Sequence, residues 1–190
     1  MKNTTIGFAI TGSFCTFSTI LEVMKSLKNE VKQIIPIFSF NVANEDTRFY
    51  SAKKFRKEIL DITGMEPADT LQKAEPLGPS GKIDIMVVAP CTGNTLAKLA
   101  NAITDTPVLM AVKSQLRNNK PVVIALSTND ALGLNFKNIG ILMATKNIYF
   151  VPFKQDNPNG KPNSLASDYS LLHNTIEYAK NGVQIQPVIN

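Results

Sequence analysis

Between residues 87 and 103 the chain reads VVAPCTGNTLAKLANAI: an apolar run, the turn Cys91-Thr92-Gly93-Asn94-Thr95, then a helical pattern. Hydroxyls and a carboxamide gathered at a helix start lie beside backbone N–H groups that the first turn leaves without partners. That combination suits an anion, because every group donates and the positive end of the helix dipole adds attraction. Three further turns of the same character follow other apolar runs: Thr11-Gly12-Ser13-Phe14-Cys15-Thr16-Phe17-Ser18, Ser39-Phe40-Asn41 and Ser127-Thr128-Asn129-Asp130. Ser, Thr and Asn are also preferred helix caps, and capping alone explains any one such turn. Four of them on one edge favour a ligand bearing phosphate or carboxylate.

The elements that must position these turns are legible as apolar runs of strand length. They are Thr5–Ile10, Ile34–Phe40, Ile83–Ala89, Val122–Leu126 and Ile148–Phe153. The runs are continuous rather than alternating, as expected for strands buried on both faces of a parallel sheet. Helical stripes separate them: Ile20, Leu21, Met24 and Leu27, with a capping box of Thr19 and Glu22; Phe55, Ile59, Leu60 and Ile62, ended by Gly64; Leu96, Leu99 and Ile103; Leu109, Val112 and Leu116 after Pro107; Phe136, Ile139, Leu142 and Met143; and Tyr169, Leu172, Ile176 and Ala179. The alternation predicts an α/β fold of three αβα layers, a doubly wound and mostly parallel sheet of Rossmann-like or flavodoxin-like type. One flavoprotein-like domain over residues 1–190 is expected. Residues 65–82 allow at most one short helix, and residues 154–167 (KQDNPNGKPNSLAS) have the composition of a surface loop. In such a sheet, ligands bind beyond the carboxyl ends of the strands, where the four polar turns fall.

Composition narrows the function. A hydrophobic content of 44% and a charged content of 18% describe an ordinary globular chain. No apolar run approaches the roughly 20 residues of a membrane span, and a cytoplasmic location is the expectation. Two cysteines and one histidine (Cys15, Cys91, His173) provide neither a disulfide framework nor a zinc set, so no metal is expected. The five cations Arg48, Lys53, Lys54, Arg56 and Lys57 read as a solvated helix face, with an anion- or partner-binding face as the alternative. Nucleic acid is disfavoured, because no aromatic platform accompanies them. Both cysteines follow strands and read as packing residues rather than nucleophiles, since neither has a base paired with it in the sequence.

No G-x-G-x-x-G follows the first strand, where residues 7–12 read GFAITG, and no Walker pattern occurs. A mononucleotide such as FMN remains. The first strand ending in T-G-S, followed by VVAPCTGNTLAKLANAITD, resembles the flavoprotein family that contains flavin-dependent cysteine decarboxylases and flavin prenyltransferases. The resemblance runs from about residue 5 to 153. It implies cofactor contacts from Gly12 and Ser13 in the first loop, Ser39 after the second strand, and Thr92, Gly93, Asn94 and Thr95. Ser127, Thr128 and Asn129 after the fourth strand complete the candidate set. The chain departs from the decarboxylases where their catalytic histidine would stand, since it reads EPLGPSGKIDI there. It also has no tryptophan, and ALSTNDAL replaces their P-x-M-N-x-x-M-W signature. Leu126-Ser127 stands where the prenyltransferases carry an Arg-Glu pair. Both reactions are disfavoured.

One branch of the family is similar over essentially all 190 residues, most visibly in IGFAITGSFCTF, in residues 89–133 and in KNIYFVPFKQDNP. That likeness implies one subunit of a hetero-oligomeric oxidoreductase that aromatises a dihydropyridine dicarboxylate during sporulation. Its partner, the A subunit of the same synthase, would resemble NAD(P)-binding dehydrogenases and carry the nicotinamide, in keeping with the missing glycine fingerprint. A homo-oligomeric core is implied by analogy. Lys98, Lys113 and the Arg48–Lys57 cluster are candidates for the dicarboxylate; no catalytic residue is assigned. Two alternatives stay open: a non-catalytic scaffold with a vestigial flavin pocket, and an independent FMN-dependent decarboxylase.

Overall fold

The computed structural model describes residues 1–190. Five parallel strands, β1 (Thr5–Ile10), β2 (Gln33–Phe38), β3 (Ile85–Cys91), β4 (Val122–Thr128) and β5 (Ile148–Phe150), are ordered β2-β1-β3-β4-β5. Every residue of β1 and β3 is buried, which explains runs without polar alternation. Pro36 sits within β2, the edge strand, where a missing N–H breaks no ladder. Ala68 covers that edge, with its N–H donating to Pro36 O and its carbonyl accepting from Phe38 N.

Helices cover both faces. On one, α1 (Phe17–Lys28), α3 (Ala52–Thr63) and α8 (Leu172–Lys180) bury Ile20, Met24, Phe55, Ile59 and Ile176 against Phe8, Ile10, Val87 and Ala125. On the other, α5 (Gly93–Ala100), α6 (Pro107–Arg117) and α7 (Phe136–Met143) bury Leu96, Val112, Ile139 and Leu142 against Ala9, Val88, Ile124 and Leu126. This is the three-layer, doubly wound arrangement expected from the alternation of strands and helices. Gly64 ends α3 at φ 71°, the left-handed conformation that glycine adopts without a Cβ penalty.

Several local expectations are corrected. A 3-10 turn at Phe14–Thr16 runs directly into α1, so the helix starts at Phe17 and Thr19 lies inside it rather than in a capping box. Strand β2 stops at Phe38; Ser39 caps the short α2 (Phe40–Asn44), accepting from Val42 N. Ile103 lies beyond α5 and is exposed. Residues 65–82, by contrast, keep to expectation, with one short helix, α4 (Leu71–Ala74), followed by a 3-10 turn. The stretch 154–167 is no plain loop: β6 (Phe153–Lys154) and β7 (Leu165–Ser167) pair antiparallel, and β7 extends the end of β4. Ser167 secures that junction, its hydroxyl accepting from Leu126 N at 2.8 Å and donating to Val151 O at 3.2 Å. Its Asn and Pro content concealed a two-residue strand and a three-residue strand too short to show periodicity.

Candidate functional site

The carboxyl ends of β1, β2 and β3 open onto a cavity of about 280 Å³. It is lined by Thr11 and Gly12 from the first loop, Ser39 to Asn41 from the start of α2, and Thr92, Asn94, Thr95 and Lys98 from α5; Thr106 and Leu109 of α6 close it. Strand order places this cavity at the point where connections leave β1 and β3 in opposite directions, the usual ligand crevice of such sheets.

Its floor is a chain of hydroxyls. Thr11 Oγ1 donates to Pro90 O at 2.7 Å and accepts from Thr92 N at 3.0 Å. Thr92 caps α5, its Oγ1 accepting from Thr95 N at 3.4 Å and donating to Thr95 Oγ1 at 3.1 Å. The register of β3 against β4 shifts between Val88 and Cys91, immediately before this cap. Two consequences follow for the chemistry. The proton of Thr95 Oγ1 is uncommitted, and the N–H groups of Gly93 and Asn94 have no acceptor within the protein. Lys98, one helical turn on, is the lining cation; its ammonium is 2.6 Å from Asp105 Oδ2, so it is partnered rather than simply solvated. The result is a polar cavity rich in donors with one positive charge.

Not every candidate residue lies there. Gly12, Ser39, Thr92, Asn94 and Thr95 line the cavity, whereas Ser13, Gly93, Ser127, Thr128 and Asn129 do not. Ser13 turns its hydroxyl across the end of β3 to Ser127, Oγ to Oγ 2.7 Å. Thr128 Oγ1 donates to Asp130, Asn135 Nδ2 donates to Asp130 Oδ2 at 2.7 Å, and Asn129 Oδ1 accepts from Ser164 at 3.3 Å. Gly93 is pressed against this network: a Cβ there would stand 2.6 Å from Thr128 Oγ1, 2.7 Å from Asn135 Nδ2 and 2.7 Å from Asp130 Oδ1. Its small size therefore serves the docking of α5 against this network.

Of the cationic candidates, only Lys98 reaches the cavity. Lys113 is exposed on α6. Arg56 is tied to Asp69 and Glu66, Lys54 faces Glu58 and Arg48 lies over Phe49. His173 belongs to α8 and pairs with Glu30 at 3.1 Å. Cys91 is fully buried, and burial pushes its thiol up to about 12, so it carries no thiolate at neutral pH. Thr106 is a lining residue that sequence reading passed over; its place before Pro107, the N-cap position of a helix with proline in its first turn, was the available signal.

This donor set can be compared with a flavin mononucleotide. Hydroxyls, amides, free N–H groups and one ammonium match a phosphate and a polyol. Only Phe40 and Leu109 are hydrophobic among the eleven lining residues, so the polar end of such a group fits inside and an aromatic ring system does not. Among groups of three or more His, Cys, Asp or Glu residues, none could hold a metal ion. No helix is long and apolar enough to cross a membrane.

Comparison with known proteins bears on the same point. The family model described as Flavoprotein matches residues 1–167. The chain is 50% identical over 189 residues to the B subunit of dipicolinate synthase from Bacillus subtilis (strain 168), covering 100% of this chain and 94% of the relative. The crystal structure of the dipicolinate synthase B subunit from Bacillus halodurans C superposes with a TM-score of 0.91 at 48% identity, covering 100% and 98% of the two chains. The FMN-dependent cysteine decarboxylase SpaF superposes with a TM-score of 0.64 at 19% identity, covering 93% and 97%, a likeness of fold alone.

Proposed function

The chain belongs to the flavoprotein family, and we propose that it serves as the flavoprotein subunit of a dipicolinate synthase. In this reading it works with the A subunit of that synthase to oxidise dihydrodipicolinate to dipicolinate during sporulation. The observation that carries the reading is 50% identity to the B subunit of a dipicolinate synthase, spanning 94% of that relative. The donor-rich cavity at the ends of β1 to β3 supports a role for FMN there.

The residues have separable parts. Thr95 Oγ1 and the N–H of Asn94 would donate to the phosphate, and the dipole of α5 would add to their attraction. Lys98 neutralises charge, exchanging part of its contact with Asp105 for the ligand. Ser39, Asn41 and Thr106 offer hydrogen bonds to a polyol. FMN, when bound, supplies hydride chemistry that no side chain can perform. Aromatising the dihydropyridine releases a hydride and a proton; in this reading the hydride would go to the oxidised NAD(P) held by the partner and the proton to solvent. No carboxylate or histidine lines the cavity, so the chain itself brings no evident general base. That lining favours a site shared with the partner over an independent decarboxylase.

Reconstitution tests the reading. The purified NAD(P)-binding partner, this chain, dihydrodipicolinate and NAD(P) are combined, and dipicolinate is followed by its ultraviolet absorbance. Dipicolinate formation should depend on this chain. Full activity from the partner by itself would leave the chain no part in the reaction; dependence that persists after flavin is stripped and cannot be restored by FMN would favour a scaffold.

A further inference from the structure

The outer face of α7 is apolar where a surface helix is ordinarily polar. Asn138, Ile139 and Leu142 are buried beneath it, while Phe136, Gly140, Ile141 and Met143 are exposed. The turn before the helix continues the patch: Leu134 is 85% exposed, and Leu132 also stands in the open. Single apolar residues on a surface need no explanation, but a contiguous group of them marks a contact surface. Gly140 adds a second sign. A glycine inside a helix weakens it relative to alanine, and nothing lies within 4 Å of where its Cβ would stand. Packing within the chain therefore gives no reason for it, whereas the close approach of another chain does. Charge adds a third. No carboxylate occurs between Asp130 and Asp156, while Lys137 and Lys146 are exposed and make no ion pair.

We propose that this face docks the NAD(P)-binding subunit, through a partner surface that is apolar at its centre and carries carboxylates at its rim for Lys137 and Lys146. This rests on the reading of the chain as one subunit of a synthase. A second copy of the chain is the poorer occupant, because pairing this face with itself would gather lysines with no carboxylate between them. Phe136 and Met143 belong to the residue types enriched at interfaces, and charge is depleted at interface centres. Position agrees with the role. Asp130 and Asn135, which bracket Leu132 and Leu134, lie against Gly93 at the start of α5, the helix whose first turn lines the cavity. A partner seated on this face stands close to that helix start, as a shared site requires.

Titration calorimetry of this chain against the purified NAD(P)-binding partner tests the proposal, with sedimentation velocity of the chain by itself as the control. Gly140→Gln should raise the Tm of the free chain by about 2–3 °C and yet weaken association about tenfold or more. Ile141→Glu should weaken it at least as much, by setting a carboxylate against the partner's own. Lys137→Glu should weaken it more at low salt than at high salt. Wild-type affinity for the partner in all three variants would overturn the docking face and leave the synthase reading intact. Failure of the wild-type chain to bind the partner at all would sink that reading, and the docking with it. Self-association of the wild-type chain that Ile141→Glu abolishes would give the face to a second copy and overturn the proposal.

Discussion

Thr92 and Thr95 are joined twice: the Thr95 N–H donates to Thr92 Oγ1 at 3.4 Å, and Thr92 Oγ1 donates to Thr95 Oγ1 at 3.1 Å. The pairing divides labour between two residues of the same type. Thr92 holds the helix start, and Thr95 retains a free proton at the cavity.

Substitution by valine should therefore give two different phenotypes. Thr92→Val removes a cap and should lower folding stability by about 1 kcal/mol in urea unfolding. Thr95→Val removes a donor to an anion and should weaken FMN binding by about 1.5–3 kcal/mol with a smaller change in stability. Equal losses of affinity in both variants would mean that neither hydroxyl meets the ligand directly.

Gly93→Ala is expected to act on folding. Its Cβ would enter the space of Thr128, Asp130 and Asn135, and overpacking of this kind costs about 1–3 kcal/mol. Urea midpoints measure it. A fully stable variant with lost FMN affinity would return Gly93 to the role of admitting the ligand.

The two thiols should separate cleanly on alkylation. Cys15 is exposed, whereas Cys91 is fully buried with its thiol pushed up to about 12. Iodoacetamide at pH 8 should label Cys15 in native protein and reach Cys91 only after denaturation, read by mass spectrometry of peptides. Rapid native labelling of Cys91 would show that the end of β3 opens.

Asp69 should confer a stability that depends on acid. Burial alone would raise its carboxyl, but hydrogen bonds and charge from Lys73 and Arg56 outweigh this and hold it below the ordinary value. A depressed folded pKa means the stabilisation is complete above the unfolded value of about 3.9 and is lost as pH falls through the folded one. The gap in stability between wild type and Asp69→Asn should stay constant from neutral pH to about 5 and close below about 4. A gap that widens in acid would reverse the sign.

How far the sequence reached depends on which residues are considered. Ile6, Phe8, Val87 and Val123 are buried on a doubly covered sheet, and continuous apolar runs report that condition directly. The polar turns after β1, β2 and β3 were likewise visible, because caps and ligand donors draw on the same residue types. The direction of each side chain was not visible. Ser13 and Ser127 were grouped with Thr95 by type, yet they satisfy one another across the end of β3. Gly93 stands among the cofactor contacts that the resemblance implies, and only the position of Asn135, forty-two residues further on, shows what its missing Cβ makes room for. Tyr169 fell on an apolar helical stripe, where nothing local marks a buried hydroxyl.

On the proposed function, the cavity bounded by Ser39, Asn94, Thr95 and Lys98 binds the phosphate of FMN. The most direct measurement is a pair of fluorescence titrations, FMN against riboflavin, on the flavin-free protein. Donors and charge that are aimed at a phosphate should make FMN bind at least about 100-fold more tightly, equivalent to roughly 2.7 kcal/mol. Equal affinities for the two flavins, or no binding of either, would contradict it.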